Sequence, residues 1–157
     1  MRLAKIKPND IVNGQGMMVS VWVQGCPHYC KGCFNKETWD FNGGREFSDA
    51  DAEAILEMLD ADGVKRNLSI LGGEPLAKEN IEGVLSLISF IRTKRPNTIV
   101  YLWSGYVYEE IQEMYGDNIL KGLVDVLVDG RFVIENKKLG LKLRGSTNQR
   151  IIELNNL

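Results

Sequence analysis

Cys26, Cys30 and Cys33 are the only cysteines of a 157-residue chain, and all three lie in the run Gly25-Cys26-Pro27-His28-Tyr29-Cys30-Lys31-Gly32-Cys33-Phe34-Asn35. An odd count on one short loop does not pair off into disulfides, but three thiolates there can reach one metal centre. A four-iron cluster held by three cysteines keeps one iron free of protein ligands, open to bind and reduce a small molecule. The competing reading is structural zinc, with His28 completing a Cys3His set. Zinc folds usually draw ligands as two pairs from separated segments, whereas here every candidate shares one loop. His28 sits two residues from both Cys26 and Cys30, which leaves little slack for a tetrahedron. It reads more simply as a hydrogen-bonding loop residue. Thiols unrelated to any metal are the third possibility.

Other residues suited to chemistry also follow apolar runs. In Gly72-Gly73-Glu74-Pro75 the two glycines let the backbone approach a ligand without a Cβ in the way. Free amides and carbonyls there, helped by the Glu74 carboxylate, can grip an ammonium group. An ordinary turn before a helix, with Glu74 near its positive end, fits the same residues. Phe34 either shields a cluster or packs on an adenine, or makes a small core contact. Ser104 and Tyr106 offer hydroxyls, or mark a helix entry. Asp129-Gly130-Arg131-Phe132 reads as a tight turn with a buried aromatic. Arg144, Asn148, Gln149 and Arg150 are a polar, basic segment, either solvated surface or a partner contact. Met17, Met18, Trp22 and Trp103 need no role beyond core or rim packing.

The elements that must hold these residues alternate. Val19, Val21 and Val23 interleave with Ser20, Trp22 and Gln24 as a first strand that runs into the cysteine loop. Ser48 and Asp51 form a capping-box pattern ahead of a helix with Ala52, Ile55, Leu56 and Leu59 on one face. Residues 68–71 form a second strand. Ile81, Val84, Leu85 and Ile88 mark a second helix, closed by Pro96. Residues 98–103 form a third strand, Val107, Ile111 and Met114 a short third helix, and residues 123–128 a fourth strand. From Lys137 onward the chain reads as irregular, apart from residues 151–154. Strand–helix alternation implies a parallel sheet with helical crossovers, whose ligands sit beyond the carboxyl ends of the strands. The cysteine loop and the turns at Gly72, Ser104 and Asp129 should therefore converge on one rim. A full eight-unit barrel takes ~250 residues, so the expectation is an α/β fold with an open, partial parallel (β/α) barrel. No segment looks long enough to be a lid.

Length suggests a single domain over 1–157. A net charge of −2 supplies no basic field for nucleic acid. No stretch approaches the ~20 apolar residues of a membrane span, and Met1-Arg2-Leu3-Ala4-Lys5-Ile6 lacks a signal-peptide core. The expected location is cytoplasmic, where free thiols stay reduced.

Taken together the motifs resemble a family. The C-x3-C-x2-C loop resembles that of radical S-adenosylmethionine (SAM) enzymes, and within them the chain resembles the activating proteins of anaerobic (class III) ribonucleoside-triphosphate reductases. The resemblance covers nearly the whole chain. Asp10-Ile11-Val12-Asn13-Gly14-Gln15-Gly16 is similar to a D-x-V-N-G-P-G stretch, with Gln15 in place of proline. The loop is similar to G-C-x-H-x-C-x-G-C-[FY]-N, followed by Thr38-Trp39. Gly72-Gly73-Glu74-Pro75-Leu76 resembles the SAM-binding G-G-[DE]-P-L, and Trp103-Ser104-Gly105-Tyr106 resembles W-[TS]-G-Y. Val128-Asp129-Gly130-Arg131-Phe132 and residues 144–150 resemble two late signatures. Gly32 stands where many radical SAM enzymes have an aromatic, in agreement with the narrower family.

The resemblance implies a [4Fe–4S] cluster on Cys26, Cys30 and Cys33. It also implies SAM bound around Gly32, Cys33, Phe34, Gly72, Gly73, Glu74 and Ser104. A low-potential donor such as flavodoxin would reduce the cluster. SAM would be cleaved to methionine and a 5′-deoxyadenosyl radical, which would take hydrogen from a glycine of the large reductase subunit. Alternatives within the same chemistry are the activase of another glycyl-radical enzyme, of the pyruvate formate-lyase type, and a small-molecule enzyme such as a deazaguanine synthase. A non-catalytic zinc or cluster-bearing binding module is the alternative outside it.

Overall fold

The structure, a computed structural model, describes residues 1–156. Among them are strands β1 (Arg2–Asp10), β2 (Met18–Gln24), β3 (Arg45–Glu46), β4 (Asn67–Gly72), β5 (Val100–Ser104), β6 (Val126–Asp129) and β7 (Arg150–Glu153). They form one open mixed sheet in the order β3-β1-β2-β4-β5-β6-β7. Its centre, β2-β4-β5-β6, is parallel, as the alternation predicts. Crossovers run through α1 (Asp49–Leu59), α2 (Ile81–Lys94) and α3 (Tyr108–Tyr115). The flanks differ from an all-parallel sheet: β1 is antiparallel to β2 and to β3, and β7 to β6.

Period-2 alternation sorts the two faces of this sheet. Val19, Val21, Val23, Leu68, Ile70, Val100, Leu102 and Leu127 share one buried cluster with Ile55, Leu59, Val84, Ile88, Ile91 and Ile111 of the helices. The helices thus cover one face. The alternate positions, including Ser20, Trp22, Ser69, Leu71, Tyr101 and Trp103, occupy the other. All of β2 is buried, polar residues included. Its Ser20 hydroxyl donates to Asp10 at 2.7 Å, and the Gln24 amide donates to the Glu37 and Asp40 carbonyls at 3.0 and 2.8 Å.

The capping box at α1 forms as the sequence predicts: the Ser48 N–H donates to Asp51 at 2.8 Å and the Asp51 N–H to Ser48 Oγ at 3.4 Å. Arg45 adds a two-pronged pair to Asp51 at 2.8 and 2.6 Å, which ties β3 to α1. Helix α2 ends just before Pro96, and Arg92 on its last turn reaches Asp125 at 2.6 Å and the Leu123 carbonyl at 2.9 Å. Three expectations shift. The fourth strand starts later, because Leu123 and Val124 close a turn onto Leu120. Met114 of α3 is exposed and does not mark its buried face. Strand β1 carries no clear alternation: Pro8 and four charged residues hide it, and Pro8 lies within the register shift between Lys7 and Asp10, where no ladder N–H is needed.

Candidate functional site

The four parallel strands end around one cavity of ≈ 420 Å³ on the side away from the helices. After β2 come Cys26, His28, Cys30, Cys33 and Phe34. The end of β4 supplies Gly72 and Gly73, that of β5 Ser104 and Gly105, and that of β6 Gly130, Arg131 and Phe132. Seven expected site residues, Cys26, Cys30, Cys33, Phe34, Gly72, Gly73 and Ser104, therefore share a wall. Two others, Gly32 and Glu74, are not part of it. Gly32 turns the loop at φ +79° with its α-carbon against Ile134 and Phe132.

Glu74 is fully buried and its carboxylate is saturated. Oε1 accepts from His28 Nε2 at 2.8 Å and from the Gly105 N–H at 2.6 Å. Oε2 accepts from Ser104 Oγ at 2.8 Å and from the Leu76 N–H at 2.8 Å. Three strand-end loops are thereby tied to one carboxylate. The residue expected to face a ligand is instead the knot beneath the site. His28 stands edge-on to Tyr106 with ring centroids 4.6 Å apart, in space that exists because Gly105 has no Cβ. Gly73 is likewise a packing glycine: a Cβ there would run into the Gly25 carbonyl, with the Thr38 carbonyl oxygen 3.0 Å away. Its missing side chain admits the cysteine loop itself, to which the Glu74 N–H bonds at the Gly25 carbonyl, 2.8 Å away. Asn35 adds a second tie, donating to the Gly72 carbonyl at 3.5 Å.

All three thiols are free. Burial pushes the Cys26 thiol up to about 11 and raises that of Cys30, so a metal centre arriving here displaces protons. The Asn35 N–H already points at Cys33 Sγ from 3.3 Å. Trp39, on the cavity wall, holds a buried indole N–H that has no acceptor among the described residues. His28 is spent on Glu74, which argues against the Cys3His zinc set. Among the described residues no three His, Cys, Asp or Glu side chains converge tightly enough for a single ion. A cluster meets its ligands at separate irons and does not require that convergence. Free thiols, a backbone N–H on one sulfur and a donor awaiting an acceptor fit an iron–sulfur group.

The remaining wall was not foreseen. Val12 and Asn13 come from the β1–β2 turn, and Leu141, Leu143, Arg144, Gly145 and Gln149 from the β6–β7 connection. The turn is built on Asp10, which accepts from the Val12 N–H, Asn13 Nδ2 and Ser20 Oγ at 2.9, 2.7 and 2.7 Å. Burial acts to raise this carboxyl, but those hydrogen bonds outweigh it and hold it below its ordinary value. The β6–β7 connection walls one side of the cavity, where no covering segment was expected. It is clasped by Gln149, whose Oε1 accepts from the Gly145 and Ser146 N–H groups at 2.9 and 3.2 Å. Its Nε2 donates to the Gly130 carbonyl at 2.9 Å. Trp103 Nε1 donates to the Leu143 carbonyl at 2.9 Å. Val12, Asn13, Arg144, Gly145 and Gln149 fall within quoted motifs, so a signal existed for them but not for Leu141 and Leu143. Motif order along the chain does not say which face of a sheet a loop covers.

Comparison with known proteins agrees with this site. A family described as "4Fe-4S single cluster domain" matches residues 12–152. The anaerobic ribonucleoside-triphosphate reductase-activating protein of Escherichia coli (strain K12) is 38% identical over 148 residues, 94% of this chain and 95% of that protein. Its counterpart from Vibrio cholerae serotype O1 is 37% identical over 145 residues, 92% of each chain. That of Enterobacteria phage T4 is 35% identical over 153 residues, 96% of this chain and 93% of that protein. With three thiols on one strand-end cavity and this likeness along nearly its full length, the chain belongs to the family of anaerobic ribonucleoside-triphosphate reductase-activating proteins.

Proposed function

We propose that this protein is the iron–sulfur activase of an anaerobic ribonucleoside-triphosphate reductase. The observation that carries the reading is the convergence of three free thiols with the ends of four parallel strands on one open cavity. Cys26, Cys30 and Cys33 are the cluster ligands. A cluster held on these thiols would supply the single electron for reductive cleavage of SAM, the chemistry through which a hydrogen would be taken from a glycine of the reductase's large subunit.

The chain's own residues bind and orient. The Gly72 and Gly73 backbone and the Ser104 side of the wall receive the methionine end of SAM, and Phe34 and Trp39 flank it. Glu74 serves that site from below by fixing the cysteine loop to β4 and β5. The parallel centre β2-β4-β5-β6 is the partial barrel of a radical SAM domain, and residues 1–157 are that one domain. Among the described residues no helix is long and apolar enough to cross a membrane. We assign the protein to the cytoplasm, with a low-potential donor of flavodoxin type and no nucleic-acid partner.

The test is anaerobic reconstitution with iron and sulfide, followed by mixing with SAM, a low-potential reductant and the cognate large subunit. The expected result is a glycyl-radical doublet in electron paramagnetic resonance on that subunit, and chain cleavage at the glycine on exposure to oxygen. Protein that cleaves SAM yet leaves the subunit without signal or cleavage overturns the partner. Protein that takes up zinc but no cluster overturns the chemistry.

A further inference from the structure

Exposed apolar side chains are unremarkable when scattered and informative when gathered. Of the nine large exposed ones among the described residues, two line the cavity and three more stand within two residues of its lining. Val12 and Phe34 are on the wall, Ile11 adjoins Val12, Tyr29 lies between His28 and Cys30, and Leu139 stands two residues from Leu141. Leu139 is 85% exposed, more than any of the others. It belongs to a projecting loop that the antiparallel bridge Lys137–Ser146 closes, with the Lys138 N–H donating to the Gly145 carbonyl at 3.4 Å. Between those ends the sequence Lys-Lys-Leu-Gly-Leu-Lys-Leu-Arg-Gly-Ser carries four cations and no anion, in a chain whose net charge is −2. Lys137 stands over the Phe34 ring at 5.3 Å, so the basic loop and the apolar rim are one surface.

We infer that this surface is the docking face for the protein whose hydrogen is abstracted, and that it takes an extended segment carrying acidic and apolar side chains. The inference rests on the activase reading and adds the chemistry of the segment that the activase grips. A cationic loop edging a functional cavity steers and orients an acidic chain. Apolar positions on the cavity wall and beside it match a chain running across it with side chains pointing alternately. An electron donor needs no access to the mouth, whereas the reacting glycine does, which favours the substrate protein as occupant.

The test compares wild-type protein with Lys138→Glu/Lys142→Glu and with Leu139→Asp, all three positions being exposed and off the cavity wall. Each is reconstituted and measured anaerobically for association with the cognate large subunit at low and at moderate salt. SAM cleavage driven by dithionite without partner is followed alongside. Expected are at least a tenfold weaker association for each variant, a steeper salt dependence for wild type than for the double-lysine variant, and unchanged partner-free SAM cleavage. Variants that associate like wild type while still cleaving SAM overturn the docking face and leave the activase reading standing. Variants that bind the subunit normally but lose reduction by a protein donor reassign the face to the donor and overturn the inference. Wild-type protein that never cleaves SAM sinks both.

Discussion

Glu74 accepts four hydrogen bonds in full burial, and each donor belongs to a segment that bears on the site. Removing one donor strands part of a buried carboxylate, which costs about 1–3 kcal/mol. His28→Ala should therefore keep its iron, because His28 is engaged by Glu74, yet lower the unfolding free energy read from urea by about that amount and weaken SAM binding. Loss of iron in that variant would restore His28 as a ligand. Cys26→Ala, Cys30→Ala or Cys33→Ala should each abolish cluster assembly and SAM cleavage, since the chain has no spare thiol. Iron and sulfide content decides it. Gly73→Val is a different case from the one its motif implies. Its branched side chain meets the Gly25 and Thr38 carbonyls rather than a ligand. Cluster content should fall together with SAM affinity, whereas a variant with full cluster and weak SAM binding would show that the added side chain, like the Gly73 backbone, meets SAM rather than the cysteine loop.

The capping box and the Asp10 turn are the elements whose stability is electrostatic. Ser48→Ala removes the acceptor for the Asp51 N–H and should cost about 1 kcal/mol, read from urea unfolding. The Arg45 guanidinium, opposed in part by burial, holds the Asp51 carboxyl far below the usual carboxylate range, and the Ser48 bonds add to this. Asp10 is lowered by its own hydrogen bonds against burial. A carboxyl whose folded value lies below its unfolded value of about 3.9 contributes stability that is fully present above that value. That stability is lost as pH falls through the folded one. The urea midpoint should thus be flat from neutrality to about pH 5 and drop below about pH 4. Asp51→Asn should shrink the drop, and an unchanged acid limb would remove Asp51 from the account. The helix and its cap were legible because both are local patterns. Strand β1 was not, because its charged residues and a proline at a register shift break up the alternation that would mark it.

Across the molecule, Arg150 closes the fold around the cavity. From β7 it reaches Asp129 on β6 at 3.0 Å and Glu109 on α3 at 2.7 Å. Asp129 is fully buried and also accepts from the Tyr108 N–H at 2.7 Å. Arg150→Ala leaves that carboxylate short of a partner, for a loss of about 1–3 kcal/mol. Because β7 also anchors the β6–β7 connection, limited proteolysis within residues 131–149 should accelerate in the variant. Unchanged cleavage there would show that Gln149 and Trp103 hold the connection without Arg150. In the sequence Arg150 reads only as part of a basic tail, since nothing local couples it to an aspartate 21 positions earlier.

The sequence by itself determined the three thiols, the alternation that makes β2, β4, β5 and β6 parallel, and the turns at their ends. These follow from residue type and short-range periodicity, and parallel topology alone brings the turns to one rim. Only the tertiary structure decided which way each of those turns faces. It turned Glu74 into the floor, set Gly73 against the cysteine loop, and ran the β6–β7 connection along one side of the cavity with Leu139, Lys138 and Lys142 exposed. Those outcomes depend on carboxylates and carbonyls finding donors far along the chain. That pairing is fixed by the closed geometry of the fold and by the cost of burying a polar group without a partner.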